Sequence, residues 1–204
     1  MFDRKEHWEK IYSEKNPNEV SWFQENPGKS LELIKRTGIP KGASIIDVGG
    51  GASVLVDHLL DEGFKNVTIL DTSDAALRYA QSRLGDQAKR VKWVVADVTQ
   101  FNPTEKFDLW HDRAVFHFLT EEADRKRYAV TVSQAVRSGG HLVIASFAPD
   151  GPDKCSNLTV CRYDGGLIQR ELGNDFKLIQ EDSEAHLTPW KKEQKFRYFS
   201  FIRL

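Results

Sequence analysis

The sequence predicts an α/β fold whose mostly parallel sheet ends in an antiparallel edge. Residues 44–147 alternate short apolar runs with amphipathic stretches. This alternation is typical of right-handed strand–helix–strand crossovers, which place successive strands parallel in one sheet. From residue 176 onward the chain instead holds two strand-like runs joined by a short loop. Because such runs can pair directly, they predict an antiparallel hairpin at the end of the sheet.

Each predicted strand of the alternating part is a short, mostly apolar run bounded by polar residues or glycines. The parallel strands are predicted at residues 44–48, 66–71, 91–96, 107–111 and 140–147. The two strands of the terminal hairpin are predicted at residues 176–184 and 195–204.

The predicted helices follow from apolar residues that recur at helical spacing. Three of them lie between the strands, at residues 55–62, 75–84 and 121–136. Two more precede the first strand: residues 6–12 place Trp8, Ile11 and Tyr12 at helical spacing, and residues 26–37 place Pro27 at a helix start. The aromatic segment between these two helices, residues 20–23, is predicted to be a loop.

Composition indicates one domain of an ordinary cytoplasmic protein. The 204 residues can bury a substantial core, and no repeat or flexible linker divides them. A net charge of −1 gives no support for a nucleic-acid or membrane partner. No apolar run approaches the roughly 20 residues of a membrane span, and the start lacks a secretory signal. Cys155 and Cys161 are therefore expected to be free thiols.

The candidate site lies where the predicted strands end, because ligands of open α/β sheets bind outside the carboxyl ends of the strands. Residues 44–53 read SIIDVGGGAS, a strand that closes in Asp47 and is followed by Gly49, Gly50 and Gly51. Three successive glycines indicate unusual dihedrals or something that must approach the backbone closely. The second strand also ends in an acid, about 20 residues further on, where a carboxylate can hold a ribose diol.

Together these motifs resemble the class I, seven-stranded, Rossmann-like methyltransferases that use S-adenosylmethionine. The resemblance extends over nearly the whole chain from Trp8. It rests on Asp-x-Gly-x-Gly after the first strand, Asp71 and Asp97 after the second and third, Arg-Ser-Gly-Gly-His at residues 137–141, and the terminal hairpin. The family usually has a third glycine where this chain has Ser53, which is also a small residue.

The resemblance implies a three-layer sandwich with strand order 3-2-1-4-5-7-6, the last strand antiparallel and helices on both faces. It implies a single methyltransferase domain, residues 1–204, with a helical lid at residues 1–40 and a Rossmann-like core at residues 41–204. The implied cofactor is S-adenosylmethionine. Its methyl acceptor is a protein or a small molecule, and neither a membrane nor a nucleic acid is expected as a partner.

The resemblance also implies the cofactor contacts. Gly49 and Gly51 would lie beneath the methionine part, and Asp47 would orient the loop or meet the amino group. Asp71 would accept hydrogen bonds from both ribose hydroxyls, and these bonds would be strong because the acceptor is charged. Asp97 would accept from the adenine amino group. At the adenine, the Val98 backbone N–H, Thr72 and Ala96 are further implied contacts. The aromatic rings of Tyr12 and Trp22 can hold the sulfonium by cation–π attraction. His111 is the remaining implied contact.

The segment after the fourth strand, residues 110–118, reads WHDRAVFHF and is rich in reactive side chains. Methyl acceptors usually sit here in this family, and the segment resembles its counterpart in certain protein-lysine methyltransferases. A protonated acceptor must lose a proton, and Asp112, His111 and His117 are the candidate bases. A second interpretation is a buried ion pair of Asp112 with Arg113 or Arg125.

Several alternatives stay open at this point. Asp71 and Asp97 can be helix N-caps, since acids that follow strands often are. Tyr12 and Trp22 can belong to the core of the N-terminal helices. A nicotinamide-dependent dehydrogenase has a similar loop, but its fingerprint needs a glycine where this chain has Val54. A non-catalytic binding module can keep the same fold. No metal site is expected, because the histidines lack the close pairing of metal ligands.

Overall fold

The computed structural model describes residues 3–14 and 16–204. Its main sheet has seven strands: β1 Ser44–Val48, β2 Asn66–Asp71, β3 Val91–Val95, β4 Phe107–Arg113, β5 Val136–Phe147, β6 Phe176–Leu187 and β7 Glu193–Arg203. Counted along this sheet, the order is 3-2-1-4-5-7-6, and β7 runs antiparallel to both of its neighbours. The predicted fold class and strand order are confirmed. A separate two-residue ladder joins Lys154–Cys155 to Leu158–Thr159.

Six α-helices accompany the sheet within the described residues: α1 Arg4–Glu14, α2 Gly28–Arg36, α3 Leu55–Asp61, α4 Asp74–Leu84, α5 Glu122–Ala135 and α6 Gly165–Leu172. The first five lie within a few residues of their predicted bounds. Sequence reasoning missed α6, a short helix that begins where the Asp164 side chain accepts from the Leu167 N–H at 2.7 Å.

The helices cover both faces of the sheet because side chains of each strand alternate between the faces. In β1, Ile45 packs with residues of α2, α3 and α4, whereas Ile46 packs with residues of α5 and α6 on the other side. Both isoleucines are fully buried. The result is the three-layer sandwich that the family resemblance implied.

Four strands continue past the predicted bounds because pairing continues beyond the apolar runs. β5 begins four residues earlier, at Val136, which pairs with Phe107 of β4. β4 extends two residues further, to Arg113, since it stays in register with β5 up to the pair Arg113 and Ala145. The hairpin strands also continue, to Leu187 in β6 and from Glu193 in β7. The extension of β4 matters for the site, because it places Asp112 and Arg113 in a strand rather than a loop.

α1 lies across the carboxyl ends of the strands. Glu9 accepts from the Ser73 hydroxyl at 2.8 Å and from the Ala75 N–H at 3.2 Å, beside the end of β2. Arg4 pairs with Asp97 at 3.3 Å, beside the end of β3. The N-terminal helix is thus attached to two of the loops that are candidates for ligand binding.

Both cysteines are free thiols, as expected. Within residues 3–14 and 16–204, no helix combines the length and the apolar character that a membrane crossing needs.

Candidate functional site

The three glycines leave room for groups of the protein itself. Gly49 has a φ of +69°, a backbone angle that residues other than glycine rarely adopt. A Cβ on Gly50 would lie 2.3 Å from Asp47 Oδ2, and a Cβ on Gly51 would lie 2.6 Å from Asp71 Oδ2. Unusual dihedrals and close approach, the two reasons offered by the sequence, are both present. The approaching groups include the two carboxylates of the site, together with the side chains of Val115 and Ala76.

Replacing Gly49 with alanine should destabilise the protein by about 3 kcal/mol or more, because two penalties combine. Its new Cβ would lie 2.1 Å from Val115 Cγ2, in addition to the strain of the positive φ. Gly38→Ala is the matched control, since Gly38 has a φ of +71° and no atom within 4 Å of an added Cβ. It should cost only about 1 kcal/mol. Urea unfolding measures both variants, and equal costs would contradict the packing argument.

Asp71 is buried at the end of β2 and its carboxylate is held in a fixed orientation. Oδ2 accepts from the Gly51 N–H at 3.0 Å and Oδ1 accepts from the Ser73 N–H at 2.9 Å. Burial raises the pKa of Asp71 to about 6, although these N–H donors oppose the shift. The N-cap of α4 is Ser73, whose hydroxyl accepts from the Ala76 N–H at 3.1 Å. The N-cap interpretation of Asp71 is therefore wrong.

Asp97 follows β3 in a turn. Its Oδ1 accepts from the backbone N–H and the hydroxyl of Thr99, at 2.8 and 2.7 Å. Its Oδ2 faces Arg4. No α-helix begins there, so Asp97 stabilises a turn and is not a helix N-cap. Its side chain is partly exposed, which leaves it accessible to a ligand.

A cavity lies over the ends of the strands, and we call it the first cavity. Eight predicted cofactor contacts line it: Tyr12, Trp22, Gly49, Asp71, Thr72, Ala96, Asp97 and Val98. The other lining residues were not predicted as cofactor contacts, and they include Arg4, Trp8, Arg113, Ala114, Val115, Phe118 and Cys155.

A second cavity adjoins the first and shares Tyr12, Trp22, Val48, Gly49 and Arg113 with it. It contains two further predicted contacts, Asp47 and His111, together with Ser30, Gly50 and Gln24. Gly51 lines neither cavity, and its N–H is directed at Asp71. All the predicted cofactor contacts except Gly51 therefore line two adjoining cavities at one edge of the sheet.

His111 connects α2 to the end of β1. Its Nδ1 lies 2.7 Å from Asp47 Oδ1 and its Nε2 lies 2.9 Å from the Ser30 hydroxyl, and all three side chains are buried. Both ring nitrogens are thus occupied by protein partners. The geometry gives His111 the task of orienting Asp47, and its role as a general base stays a prediction.

Asp112 is fully buried and lines neither cavity. Its carboxylate accepts from the N–H groups of Val115 and Phe116, at 2.9 and 3.2 Å, and from the Tyr128 hydroxyl at 2.8 Å. Burial raises the pKa of Asp112 to about 6. The structure thus assigns this carboxylate to the turn that follows β4.

The alternative ion pairs of Asp112 are not formed among the described residues. Arg113 bonds instead to the Tyr198 hydroxyl at 3.0 Å, and Arg125 pairs with Glu171 at 2.9 Å. The ion-pair interpretation is wrong. Strand alternation turns Asp112 and Arg113 toward opposite faces of the sheet, and Arg125 bonds to Glu171 and to the backbone oxygens of Leu119 and Thr120 instead.

His117 is fully buried between the rings of Phe118 and Phe147, with centroids 4.4 and 4.9 Å away. Burial lowers its pKa to about 3, and the Arg113 charge acts in the same direction. It lines neither cavity, so the structure places His117 away from the space that a substrate could occupy.

Sequence reasoning missed Arg113 and Glu9 as residues of the site. Arg113 lines both cavities, and its place directly after Asp112 was noted only as that of an ion-pair partner. The predicted fourth strand ended two residues too early, at residue 111. A strand predicted to end at residue 113 would have placed Arg113 at the strand end, among the candidate site residues. Glu9 had no signal, since its contact with α4 joins residues 66 positions apart.

Comparison with known proteins agrees with this geometry. A family model described as a methyltransferase domain matches residues 45–140. EEF1A lysine methyltransferase 2 of Mus musculus is 24% identical over 159 residues, which are 70% of this chain and 64% of the mouse protein. The chain therefore matches just under two thirds of that relative's length.

Two solved structures share the fold over almost the whole chain. One concerns the conversion of a disulfide bond into a thioacetal group during echinomycin biosynthesis. It is 17% identical with a TM-score of 0.80, and the match covers 98% of this chain and 93% of the other chain. The other is the N-methyltransferase NodS of Bradyrhizobium japonicum WM9 with S-adenosyl-L-homocysteine, at a TM-score of 0.70 and 17% identity, covering 98% and 99%.

Proposed function

We propose that the chain is a class I, Rossmann-like S-adenosylmethionine-dependent methyltransferase, as the methyltransferase-domain model over residues 45–140 and the shared fold support. From this premise we propose where it holds its cofactor and what it methylates. The first cavity would hold the adenosine part, and the second cavity the methionine part. The observation that carries this proposal is the lining of the first cavity by eight of the predicted contacts. Their chemistry fits the cofactor: a buried carboxylate for a diol, a second carboxylate for an exocyclic amine, and apolar walls.

Within these cavities Asp71 would accept from the two ribose hydroxyls and Asp97 from the adenine amino group. Val98 would contribute its backbone N–H to the ring, with Thr72 and Ala96 beside it. Gly49 and Gly51 would keep the loop close to the methionine part. When bound, S-adenosylmethionine supplies a methyl group on a positively charged sulfur that is a good leaving group.

Tyr12 and Trp22 would form the aromatic wall beside the sulfonium. The Trp22 indole N–H donates to the Tyr12 hydroxyl at 3.1 Å, and Trp8 packs edge-on against Trp22 with centroids 5.5 Å apart. Burial raises the pKa of Tyr12, so its hydroxyl stays neutral. Neutral rings in this position can attract a cation and exclude water.

Residues 1–40 would act as a lid on the core of residues 41–204. The contacts of α1 support this division, since Glu9 and Arg4 attach it to the loops after β2 and β3. A lid in this position would close the cavities on the side opposite to the glycine loop. It would also align the acceptor with the methyl group, because alignment is the main demand of an in-line displacement.

The proposed acceptor is an amine nitrogen, with the lysine side chain of a protein as the first candidate. The relative named as a lysine methyltransferase supports this choice. Only a neutral amine can attack the methyl group. Transfer of the ammonium out of water and next to the positive sulfonium would lower its pKa and favour loss of the proton to water. Asp112 and His117 line neither cavity, and both ring nitrogens of the third predicted base, His111, already have protein partners. Desolvation is therefore the proton-releasing step that we propose.

Label transfer tests the function directly. The purified protein, S-adenosylmethionine labelled in its methyl group and a lysate as acceptor should give label in protein bands, recovered as methyl-lysine after hydrolysis. Label found only in the small-molecule fraction would contradict a protein acceptor. A protein that binds the cofactor but labels neither fraction would be a binding module.

Cofactor affinity should fall as the pH drops below about 6. The pKa of Asp71 is raised to about 6 in the free protein, and only its carboxylate form can accept from both ribose hydroxyls. Binding therefore favours loss of this proton, and affinity should decrease by up to about tenfold for each pH unit below that value. Isothermal titration across this range measures the effect. A flat profile in the wild type would exclude Asp71 as the titrating group.

A further inference from the structure

A surface groove lies between the end of β6 and the segment that joins α1 to α2, and we call it the hairpin groove. It adjoins the second cavity, because Phe23 and Gln24 line both. The second cavity is the one proposed to hold the methionine part of the cofactor. A ligand in the hairpin groove would therefore lie next to the part of the cofactor that carries the methyl group.

Side-chain hydrogen bonds hold the two walls of the groove together. His186 Nε2 donates to the backbone oxygen of Ser21 at 2.7 Å, and Gln24 Nε2 donates to Glu184 Oε1 at 3.1 Å. The other oxygen of Glu184 accepts from the Tyr198 hydroxyl of β7 at 2.9 Å. The groove is thus formed without a ligand, so a ligand that binds there does not have to order its walls.

The lining of the groove combines negative charge with exposed apolar side chains. Glu25 and Glu184 line it, and no lysine or arginine of the described residues does. Leu187 is 62% exposed, and Phe23 and Pro189 are further apolar lining residues. Such a surface complements a ligand that carries both cations and apolar side chains.

One wall of the groove is a strand at the edge of the sheet. β6 is the last strand in the sheet order, and its pairing partner is β7. α6 lies beside the first part of β6, where Gln169 Oε1 accepts from the Leu178 N–H at 2.9 Å. Near the other end, Ala185 and Leu187 are exposed and line the groove. An extended chain can bind along such an edge through its own backbone N–H and C=O groups.

We propose that the hairpin groove binds the segment of the acceptor protein that surrounds the target lysine, as an extended chain with basic and apolar residues. This inference rests on the proposed function, in which the acceptor is a lysine of a protein. A chain bound in the groove can direct its lysine toward the cofactor, because the groove adjoins the second cavity. Glu25 and Glu184 would favour basic residues beside the target lysine and disfavour acidic ones.

Two synthetic peptides test this charge preference. Each contains one central lysine flanked by leucines, and the remaining positions are arginine in one peptide and glutamate in the other. With S-adenosylmethionine labelled in its methyl group, the wild type should show a kcat/KM at least about tenfold higher for the arginine peptide. Glu25→Lys should lower this value by about tenfold and reduce the preference, while isothermal titration gives a cofactor affinity within about twofold of the wild type.

Leu187→Ser tests the apolar part of the groove and should lower kcat/KM for the arginine peptide by about fivefold. Ile179→Ser is its matched control, since Ile179 is 54% exposed on the same strand and does not line the groove. Glu105→Lys is the matched control for Glu25→Lys, because Glu105 precedes β4 at the opposite edge of the sheet. Both controls should leave kcat/KM within about twofold, as surface substitutions seldom alter the fold.

Several outcomes would overturn the groove as the docking site. One is equal methylation of both peptides by the wild type, and another is methylation of neither by a wild type that binds the cofactor. Equal effects of Glu25→Lys and Glu105→Lys would overturn it as well. A wild-type dimer in sedimentation that Leu187→Ser converts to a monomer would identify a second copy of the chain as the occupant. A wild type that binds no cofactor would instead refute the proposed function.

Discussion

Asp71→Asn should weaken S-adenosylmethionine binding by about 100-fold or more, because it removes a charged acceptor shared by two ribose hydroxyls. The Asp71 carboxylate is already oriented by the N–H groups of Gly51 and Ser73, so no reorganisation is needed when a diol binds. Asparagine has nearly the same shape, but it is uncharged and has only one acceptor oxygen. Isothermal titration with S-adenosylmethionine and with 5′-methylthioadenosine measures the loss. Both ligands should be affected equally, since both contain the ribose.

The matched control is Asp74→Asn, three residues further along the chain. Asp74 is partly exposed in the first turn of α4 and pairs with Arg78. Its substitution should change cofactor affinity by less than about twofold, since exposed ion pairs contribute little. Equal losses in the two variants would show that the effect is general electrostatics, and the assignment of the ribose to Asp71 would fail.

Asp112→Ala should destabilise the protein by about 3–5 kcal/mol, the second large effect that we expect. The substitution leaves the N–H groups of Val115 and Phe116 and the Tyr128 hydroxyl without the acceptor that now satisfies them. These groups are buried or partly buried beneath α5, where water cannot replace the lost bonds. Urea unfolding measures the free energy, and any loss of activity should follow the loss of folded protein.

Two comparisons test whether Asp112 acts as a structural acceptor. Tyr128→Phe should cost about 1–2 kcal/mol, and the double variant should cost less than the sum, because both residues belong to one network. Asp108→Ala provides a control on the same strand, where a partly exposed carboxylate should cost under about 1.5 kcal/mol. A stable Asp112→Ala protein that binds cofactor normally but does not turn over would instead support the general base predicted from the sequence.

Much of the candidate cofactor site could be predicted because its signals are local. The glycine loop and Asp71 each directly follow a short apolar run, and parallel strands bring their carboxyl ends to the same edge. The chemistry of the acceptor side was harder to predict. Asp112, His111 and His117 were grouped by proximity in sequence, and the structure gives each of them a different set of contacts.

The sequence by itself determined the succession of elements and the edge of the sheet that carries the site, since periodicity and turn residues specify elements and their order along the chain. The order of strands in the sheet and the number of layers were implied by the family resemblance. Only the tertiary structure decided which reactive side chains face the cavities. β4 continues to Arg113 because β5 pairs with it that far, and side chains along a strand alternate between faces. His111 is therefore directed to Ser30 of α2 and Asp112 to Tyr128 of α5. Arg113 reaches the strand end with one donor free, an outcome that depends on partners from distant parts of the chain.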